Sequence, residues 1–431
     1  VKHLLIIVVV GLSIAPLSYP FLMDHQRDRI DQHRPGSSEP VPILVEKILA
    51  ENEVLPDDWA VDGTTGYEFL AAVAGISVDP WGLEVIRRHA EGWTADATPF
   101  SQRRIACKRL VAELLFGPEI DRLTFRIVHA AAMADVCLQP DSIRPAVVAL
   151  SAHLSVYRTY ATADGPSQQD RQRITSTGQA AAADPAFSDH AEAIRQLVGL
   201  LVLDPPFDTP PARAAAIEAL LRWQQFTGPL AAKGVEDTAL YRDVSLVALN
   251  DVGREPMPGK PLHDIRAVLQ ARNAPRNQSL NTTSTHDTKR GEDTRARIAA
   301  LSFIPDRWSA TVDRWLEAHD RLRTPHSGGQ APSRRDIVLV YQTVVGIWTG
   351  PREASAMSQR VRDYLRKAGR EAKLRTSWLD PDAAYEDATA SFVAALLESP
   401  ETQEFRDEVH TLVDTIAPIA SMISMAWILL K

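Results

Sequence analysis

The chain has few cysteines, no glycine-rich phosphate loop and no excess of positive charge, and each absence excludes a class of protein. Cys107 and Cys137 are the two cysteines in 431 residues. Neither has a cysteine or histidine at metal-ligand spacing, so we expect neither a zinc site nor a disulfide. The Gly-x-x-x-x-Gly-Lys and Gly-x-Ser-x-Gly patterns are absent, which disfavours P-loop nucleotide binding and serine hydrolase chemistry. The net charge of −8 argues against a nucleic-acid partner, which would need clustered lysine and arginine.

The bulk composition is that of an ordinary folded protein. Hydrophobic residues make up 45% of the chain and charged residues 24%, close to the averages for globular proteins. The length suits either one large barrel-type domain with insertions or two domains. An uncharged ligand such as a sugar is compatible with this composition.

The first residues form a long apolar segment. Residues 4–23 are almost continuously apolar, long enough for a spanning helix or the core of a signal sequence. Pro16 and Pro20 weaken this segment as a helix. The alternative is a spurious start, with Met23 as the first residue. We therefore expect a cytoplasmic protein, with a membrane anchor through residues 4–23 as the alternative.

Helical patterns dominate, and only short segments resemble strands. Residues 41–49 predict either a buried strand ending near Glu46 or the start of a helix. Composition predicts loops at residues 62–66 and 165–184, and residues 246–250 and 279–284 are short enough for strands. Helices are expected within residues 67–226 and at residues 191–203, 212–226, 292–301, 336–348, 354–368 and 385–397. This pattern favours an α/β fold: part of a (β/α)8 TIM barrel with a large α-helical insertion, helix-dominated overall.

Glu46 is the first candidate for chemistry. It follows four apolar residues, and a glutamate at the end of a barrel strand lies on the catalytic face with the surroundings that a general acid needs. The alternative is an amphipathic helix that has Glu46 and Lys47 on its solvent side.

Two polar motifs and the tryptophans are the other candidates. His286 and Asp287 follow a run of small hydroxyl residues, as a sugar site requires, or else Asp287 or Thr288 caps the next helix. The motif KGVEDTALYR at residues 233–242 contributes several charged groups, or is a solvated turn with ion pairs. Six tryptophans could stack on sugar rings, although most are expected in the core: Trp59, Trp93, Trp223, Trp308, Trp348 and Trp378.

Four long motifs together resemble one family. They are VEKILAENEVLPDDWAVDGTTGYEF at 45–69, QQFTGPLAAKGVEDTALYR at 224–242, LNDVGREP at 249–256 and NTTSTHDTKRGEDTRARIAALS at 281–302. In this order they are similar to the maltooligosyl trehalose synthases of the α-amylase superfamily, and the likeness covers residues 41–431.

The resemblance implies an activity and a set of residue roles. The family rearranges the reducing-end α-1,4 linkage of a maltooligosaccharide into the α,α-1,1 linkage of trehalose by a retaining mechanism, without metal or cofactor. Glu46 would be the general acid/base and Asp287 the carboxylate that stabilises the transition state. The substrate-binding residues would be His286, Lys233, Glu236, Asp237, Tyr241 and Arg290, with Arg290 orienting neighbouring carboxylates. The alternatives are an inactive relic that binds glucan or a partner chain, and an α-glucan hydrolase.

The nucleophile is the part of the family pattern that the sequence does not match. An arginine-hydrophobe-aspartate-histidine motif is expected upstream of Glu46, and Asp31, in Arg29-Ile30-Asp31, is a weak candidate. The resemblance implies that only the later barrel strands are present, so we expect a fragment with impaired activity. A separate complementing chain could supply the first half of the barrel. The whole interpretation requires Glu46 and Asp287 to face each other across one cleft.

The same resemblance divides the chain into five segments. Residues 1–40 are an apolar leader and linker, and residues 41–66 hold a barrel strand with Glu46. Residues 67–226 are the helical insertion, residues 227–304 are barrel segments with both polar motifs, and residues 305–431 are a helical region.

Overall fold

A computed structural model describes most of the chain as two compact units. It describes residues 6–8 (backbone), 24–25, 27–30, 32, 41–50, 53–204, 207, 209–256, 269–270, 272, 278–327 and 329–431. The first unit comprises residues 1–65, 101–236 and 275–280, and the second comprises residues 66–100, 237–274 and 281–431. Each unit has its own hydrophobic core. The five-segment division of the chain stays a prediction.

A small parallel sheet belongs to the first unit. Strands β1 (Ile6–Val8), β2 (Ile43–Val45) and β3 (Gly63–Thr64) lie in that order, with Ile6 opposite Ile43 and Leu44 opposite Gly63. All three β2 side chains are buried, as parallel strands covered on both faces require. The ambiguous run at residues 41–49 is therefore a strand and not a helix. The predicted loop at residues 62–66 is partly wrong, because it contributes β3.

Six α-helices of eight or more residues surround the core of the first unit among the described residues. They are α3 (Phe100–Leu115, whose first residue belongs to the second unit), α4 (Gly117–Ala132), α5 (Pro140–His153), α6 (Gln168–Ala183), α7 (Ala191–Leu201) and α8 (Pro210–Ala231). The predicted loop at 165–184 is wrong, because α6 occupies most of it. The Ser167 side chain caps α6 by accepting a hydrogen bond from the Asp170 N–H, and Ile174 and Ala181 pack into the core. The apolar face of α6 is too narrow to be recognised from the sequence of such a polar segment.

The second unit is helical apart from one hairpin in its described residues. Its helices are α1 (Tyr67–Ile76), α2 (Pro80–Thr94), α9 (Leu240–Arg242), α10 (Glu292–Ala300), α11 (Pro305–His319), α12 (Arg334–Ile347), α13 (Ala354–Ala372), α14 (Ala383–Glu398) and α15 (Gln403–Leu430). The helices predicted at 292–301, 336–348, 354–368 and 385–397 are all present. Strands β4 (Thr324–His326) and β5 (Gly329–Ala331) pair antiparallel.

The strands predicted at residues 246–250 and 279–284 are both wrong. Residues 246–250 contain the 3-10 turn Val247–Leu249, in which the Val247 N–H donates to the Gln342 side chain at 2.9 Å. Residues 279–284 form no strand, although the Leu280 N–H donates to the Thr64 carbonyl beside β3 at 3.0 Å. Helix therefore dominates as predicted, and the partial barrel stays a prediction.

Two apolar segments bear on the expected membrane contact. Of residues 4–23, the structure describes only Ile6–Val8, which form β1; the rest lies outside the described residues. Among the described helices, Pro400–Leu430 is long and apolar enough to cross a membrane, and 33% of its most apolar window is buried. The bent pair α1 and α2 meets the same criterion as one broken span. Core helices of soluble proteins also satisfy this criterion, so it does not establish a membrane contact.

Candidate functional site

Glu46 follows β2 directly, at the carboxyl end of a buried parallel strand. Residues 46–50 are not helical, and the next side chain, Lys47, is 4% exposed. The alternative of an amphipathic helix with Glu46 and Lys47 in solvent is therefore wrong. The carboxyl ends of parallel strands are where such sheets bind ligands, so the strand places Glu46 where the sequence predicts it.

A buried ion pair holds the chain just after Glu46. The Lys47 ammonium lies 2.8 Å from Glu53 Oε1, and the Ala50 N–H donates to the other Glu53 oxygen at 3.0 Å. The ammonium also lies 4.5 Å from the centre of the Tyr160 ring. Burial lowers the pKa of Lys47 although Glu53 opposes this effect. Sequence reasoning missed Glu53 and Tyr160, since only the fold brings them to Lys47.

His286 and Asp287 lie on a turn of the second unit, and both side chains reach solvent. Their side chains are 74% and 40% exposed. The Asp287 N–H donates to the Thr285 hydroxyl at 3.2 Å. Asp287 Oδ2 accepts a hydrogen bond of 2.7 Å from the hydroxyl of Tyr67, a residue that the sequence did not single out.

The alternative capping role of Asp287 or Thr288 is wrong. Helix α10 begins at Glu292, its N-cap residue is Gly291, and no side chain caps it. The Thr288 hydroxyl donates instead to the Thr285 carbonyl at 2.8 Å. The polar run therefore forms a turn that displays His286 and Asp287.

Asp251 is a buried residue that supports the turn carrying His286 and Asp287. Asp251 is 3% exposed, and its Oδ1 accepts from the Lys289 N–H at 3.3 Å. Arg295 lies 3.9 Å from its other oxygen. Burial raises the pKa of Asp251, and Arg295 partly opposes that rise. The motif LNDVGREP thus contributes a support for the turn.

Arg290 does not orient carboxylates in the described part of the chain. Its guanidinium donates to the Val247 carbonyl at 3.0 Å and to the Tyr364 hydroxyl. It also lies 5.3 Å from the centre of the Tyr364 ring. The orienting role predicted for Arg290 is therefore wrong, while its part in substrate binding stays a prediction.

The KGVEDTALYR motif is a π-helix, Ala232–Ala239, followed by α9, so its interpretation as a solvated turn is wrong. π-Helices are rare and often occur at functional sites. In the first unit, Lys233 is exposed and Glu236 accepts from the Tyr157 hydroxyl at 2.5 Å. Gly234 packs against the buried side chain of Lys108.

The rest of that motif belongs to the second unit. The Asp237 carbonyl accepts from the Lys373 ammonium at 3.1 Å. Tyr241 is buried, and burial raises the pKa of its hydroxyl. The Lys289 ammonium lies 4.8 Å from the centre of the Tyr241 ring, so Tyr241 packs beside the turn that carries Asp287.

Most of the tryptophans are core residues, as predicted. Trp59, Trp93, Trp223, Trp308 and Trp348 are buried, whereas Trp378 is 54% exposed. The guanidinium of Arg370 lies 4.9 Å from the centre of the Trp378 indole. Trp378 therefore stays the candidate for stacking on a sugar.

The predicted site residues are divided between the two units. The first unit holds Glu46, Lys233 and Glu236, and the second holds Asp237, Tyr241, His286, Asp287 and Arg290. The expectation that Glu46 and Asp287 face each other stays a prediction. Asp31 lies outside the described residues.

Comparison with known proteins agrees with the motifs. Proteins from two strains of Mycobacterium tuberculosis, both named as maltooligosyl trehalose synthases, are 36% identical over 366 residues, which is 84% of this chain and 43% of each relative. The solved maltooligosyltrehalose synthase from Arthrobacter ramosus aligns with a TM-score of 0.76 at 29% identity, covering 94% of this chain and 47% of that one.

A single-substitution mutant of the Arthrobacter enzyme has the same TM-score and identity and covers 98% of this chain and 48% of its own. No protein-family model matches the chain. The chain spans less than half the length of the relatives that it matches. It is a homologue of the maltooligosyl trehalose synthases over 84% of its own length.

Proposed function

We propose that the chain carries part of the machinery for an intramolecular transglycosylation. The reaction converts the reducing-end α-1,4 linkage of a maltooligosaccharide into an α,α-1,1 linkage, so that the product ends in trehalose. The observation that most supports this proposal is the position of Glu46, directly after a buried parallel strand. The names of the homologous proteins support maltooligosaccharides as the substrate class.

In the proposed reaction Glu46 moves a proton in both steps. Its carboxyl group first protonates the glycosidic oxygen of the terminal bond, while a carboxylate nucleophile attacks the anomeric carbon of the penultimate glucose. The terminal glucose leaves and a glucosyl ester forms. The released glucose then turns, loses the proton of its anomeric hydroxyl to Glu46, and attacks the anomeric carbon of the glucosyl ester, which releases the nucleophile as a carboxylate. The two inversions at the anomeric carbon of the penultimate glucose restore its α configuration, so the new linkage is α,α-1,1. No described residue is assigned as the nucleophile.

Asp287 and His286 have the binding role in this proposal. Asp287 would accept hydrogen bonds from sugar hydroxyls and stabilise the positive charge that develops at the ring in the transition state. His286, whose side chain is exposed beside Asp287, would donate to the same glucose. Neither role requires a metal ion or an organic cofactor.

Incubation with maltopentaose tests the proposal. We expect reducing ends to be lost without release of glucose. Glucoamylase digestion of the product should then leave trehalose, which trehalase cleaves. Glu46→Gln should lower the rate by roughly a hundredfold to ten-thousandfold, because amide cannot transfer the proton. Glu119→Gln is the control, because it removes a carboxylate on the surface of α4, where Glu119 pairs with Arg122 at 2.9 Å. This variant should leave the rate unchanged.

The other products distinguish the alternatives. Release of glucose or maltose would identify an α-glucan hydrolase. Binding of maltopentaose without turnover would indicate the inactive relic. Equal rates for Glu46→Gln and the wild type would contradict the role of Glu46.

A further inference from the structure

Tyr67 is a buried tyrosine whose hydroxyl donates to a candidate catalytic carboxylate. It is the first residue of α1, and its ring is 1% exposed. Gly66 precedes it with φ 93°, a left-handed conformation that glycine adopts readily. This backbone bend begins the helix so that the hydroxyl lies 2.7 Å from Asp287 Oδ2.

The two oxygens of Asp287 have different surroundings. Oδ2 accepts from Tyr67, whereas Oδ1 lies 3.5 Å from His286 Nε2 on the solvent side of the turn. The Asp287 side chain is 40% exposed, so a carboxylate at this turn could rotate if nothing held it. A donor in a packed ring cannot follow such a rotation, and a hydrogen bond to a charged acceptor is stronger than one between neutral groups.

We propose that Tyr67 is a positioning residue, whose hydroxyl holds Oδ2 of Asp287 and leaves Oδ1 for a sugar hydroxyl. This inference rests on the proposed function for the role of Asp287. Sites work only when their groups are held within a few tenths of an ångström and 10–20° of the productive geometry. Tyr67 supplies that restraint to a residue on a loop.

Tyr385 provides a matched control. It is also buried, at 4% exposure, and its hydroxyl donates to the carboxylate of Asp336. Asp336 belongs to the first turn of α12 and accepts from the Ser333 hydroxyl at 2.9 Å, and neither residue belongs to the candidate site. Tyr385→Phe therefore removes the same atom and a hydrogen bond to a different carboxylate, together with the bond that the hydroxyl accepts from the Ser333 N–H at 2.9 Å.

Kinetics on maltopentaose with both variants test the proposal. We expect Tyr67→Phe to lower kcat by up to about a hundredfold, as misplacement of a catalytic group does, with KM changed less than about threefold. Tyr385→Phe should leave kcat and KM as in the wild type. Both variants should unfold at lower denaturant concentrations, so the difference in kcat separates positioning from stability. Equal kcat in the two variants would overturn the proposal.

A double-mutant cycle distinguishes failure of this proposal from failure of the proposed function. If the wild-type chain neither binds nor converts maltopentaose, the proposed function fails. The unfolding midpoints of Tyr67→Phe, Asp287→Ala and the double variant still measure the bond. A non-additive shift shows that Tyr67 holds the carboxylate. Additive shifts show that it does not, and they overturn the proposal independently of activity.

Discussion

At the scale of single residues, the buried polar groups carry the most information. Lys47 and Glu53 form a pair that is nearly inaccessible to solvent, and removing one partner of such a pair leaves a buried charge without compensation. Motifs identified Glu46 and Asp287, because both stand in long and specific patterns. Tyr67 and Asp251 could not be identified in the same way, because their roles depend on Asp287 and Lys289, which are distant along the chain.

His319 makes stability depend on pH. It is 6% exposed, and its Nδ1 lies 2.8 Å from the hydroxyl of Tyr341, which donates to the Trp315 carbonyl. Nδ1 therefore carries the proton of a neutral ring. Burial lowers the pKa of His319 from 6.5 to about 4, with Arg321 adding to the fall and Glu408 opposing it.

The depressed pKa gives the direction of the pH effect. Between about pH 6.5 and pH 4 the unfolded chain binds a proton that the folded chain does not, so the contribution of neutral His319 is complete above pH 6.5 and decreases as pH falls. The loss is at most about 3 kcal/mol. Urea unfolding at several pH values measures this effect. The free energy of unfolding of His319→Gln should depend less on pH than that of the wild type. His410→Gln, at an exposed histidine, should keep the wild-type slope.

At the scale of elements, two segments carry most of the candidate site residues. The π-helix Ala232–Ala239 displays the KGVEDTA motif, and the turn before α10 displays His286 and Asp287. Long amphipathic helices such as α13 can be predicted from the hydrophobic periodicity of the sequence. The π-helix cannot be predicted in this way, since its hydrogen-bond pattern has no period of its own in the sequence.

Gly234 allows the π-helix to approach the buried Lys108. A Cβ added at Gly234 would lie 2.7 Å from Lys108 Cγ and 2.8 Å from Lys108 Cα. Lys108 cannot move easily, because its ammonium donates to the Leu154 carbonyl at 2.8 Å and is fully buried. Gly234→Ala should therefore lower the free energy of unfolding by about 1–3 kcal/mol, as overpacking does.

Gly199→Ala is the control for this substitution. Gly199 lies in α7, and a Cβ there would meet no atom within 4 Å. Alanine should stabilise that helix by about 0.5–1 kcal/mol. Chemical unfolding measures both variants, and a neutral Gly234→Ala would show that the contact with Lys108 is not tight.

At the scale of the whole molecule, the reactivity of the two cysteine thiols measures opening of the fold. Cys107 and Cys137 do not form a disulfide; Cys137 is exposed and Cys107 is buried. One thiol per chain should react rapidly with a maleimide under native conditions. The thiol of Cys107 should react only when the fold opens. Its labelling rate therefore depends on the free energy of opening. Cys137→Ser leaves Cys107 as a single probe, and rapid native labelling of that variant would contradict the burial of Cys107.

The sequence by itself determined the helical character of the chain, the family and the two candidate carboxylates. These features depend on local periodicity and on long motifs, which are readable in one dimension. Only the tertiary structure decided that residues 168–183 form a helix, that KGVEDTA is a π-helix and that Tyr67 donates to Asp287. Each of these depends on contacts between residues far apart in the chain, such as Gly178 against Val198 or Tyr67 against Asp287. Packing and buried hydrogen bonds of that kind override local composition.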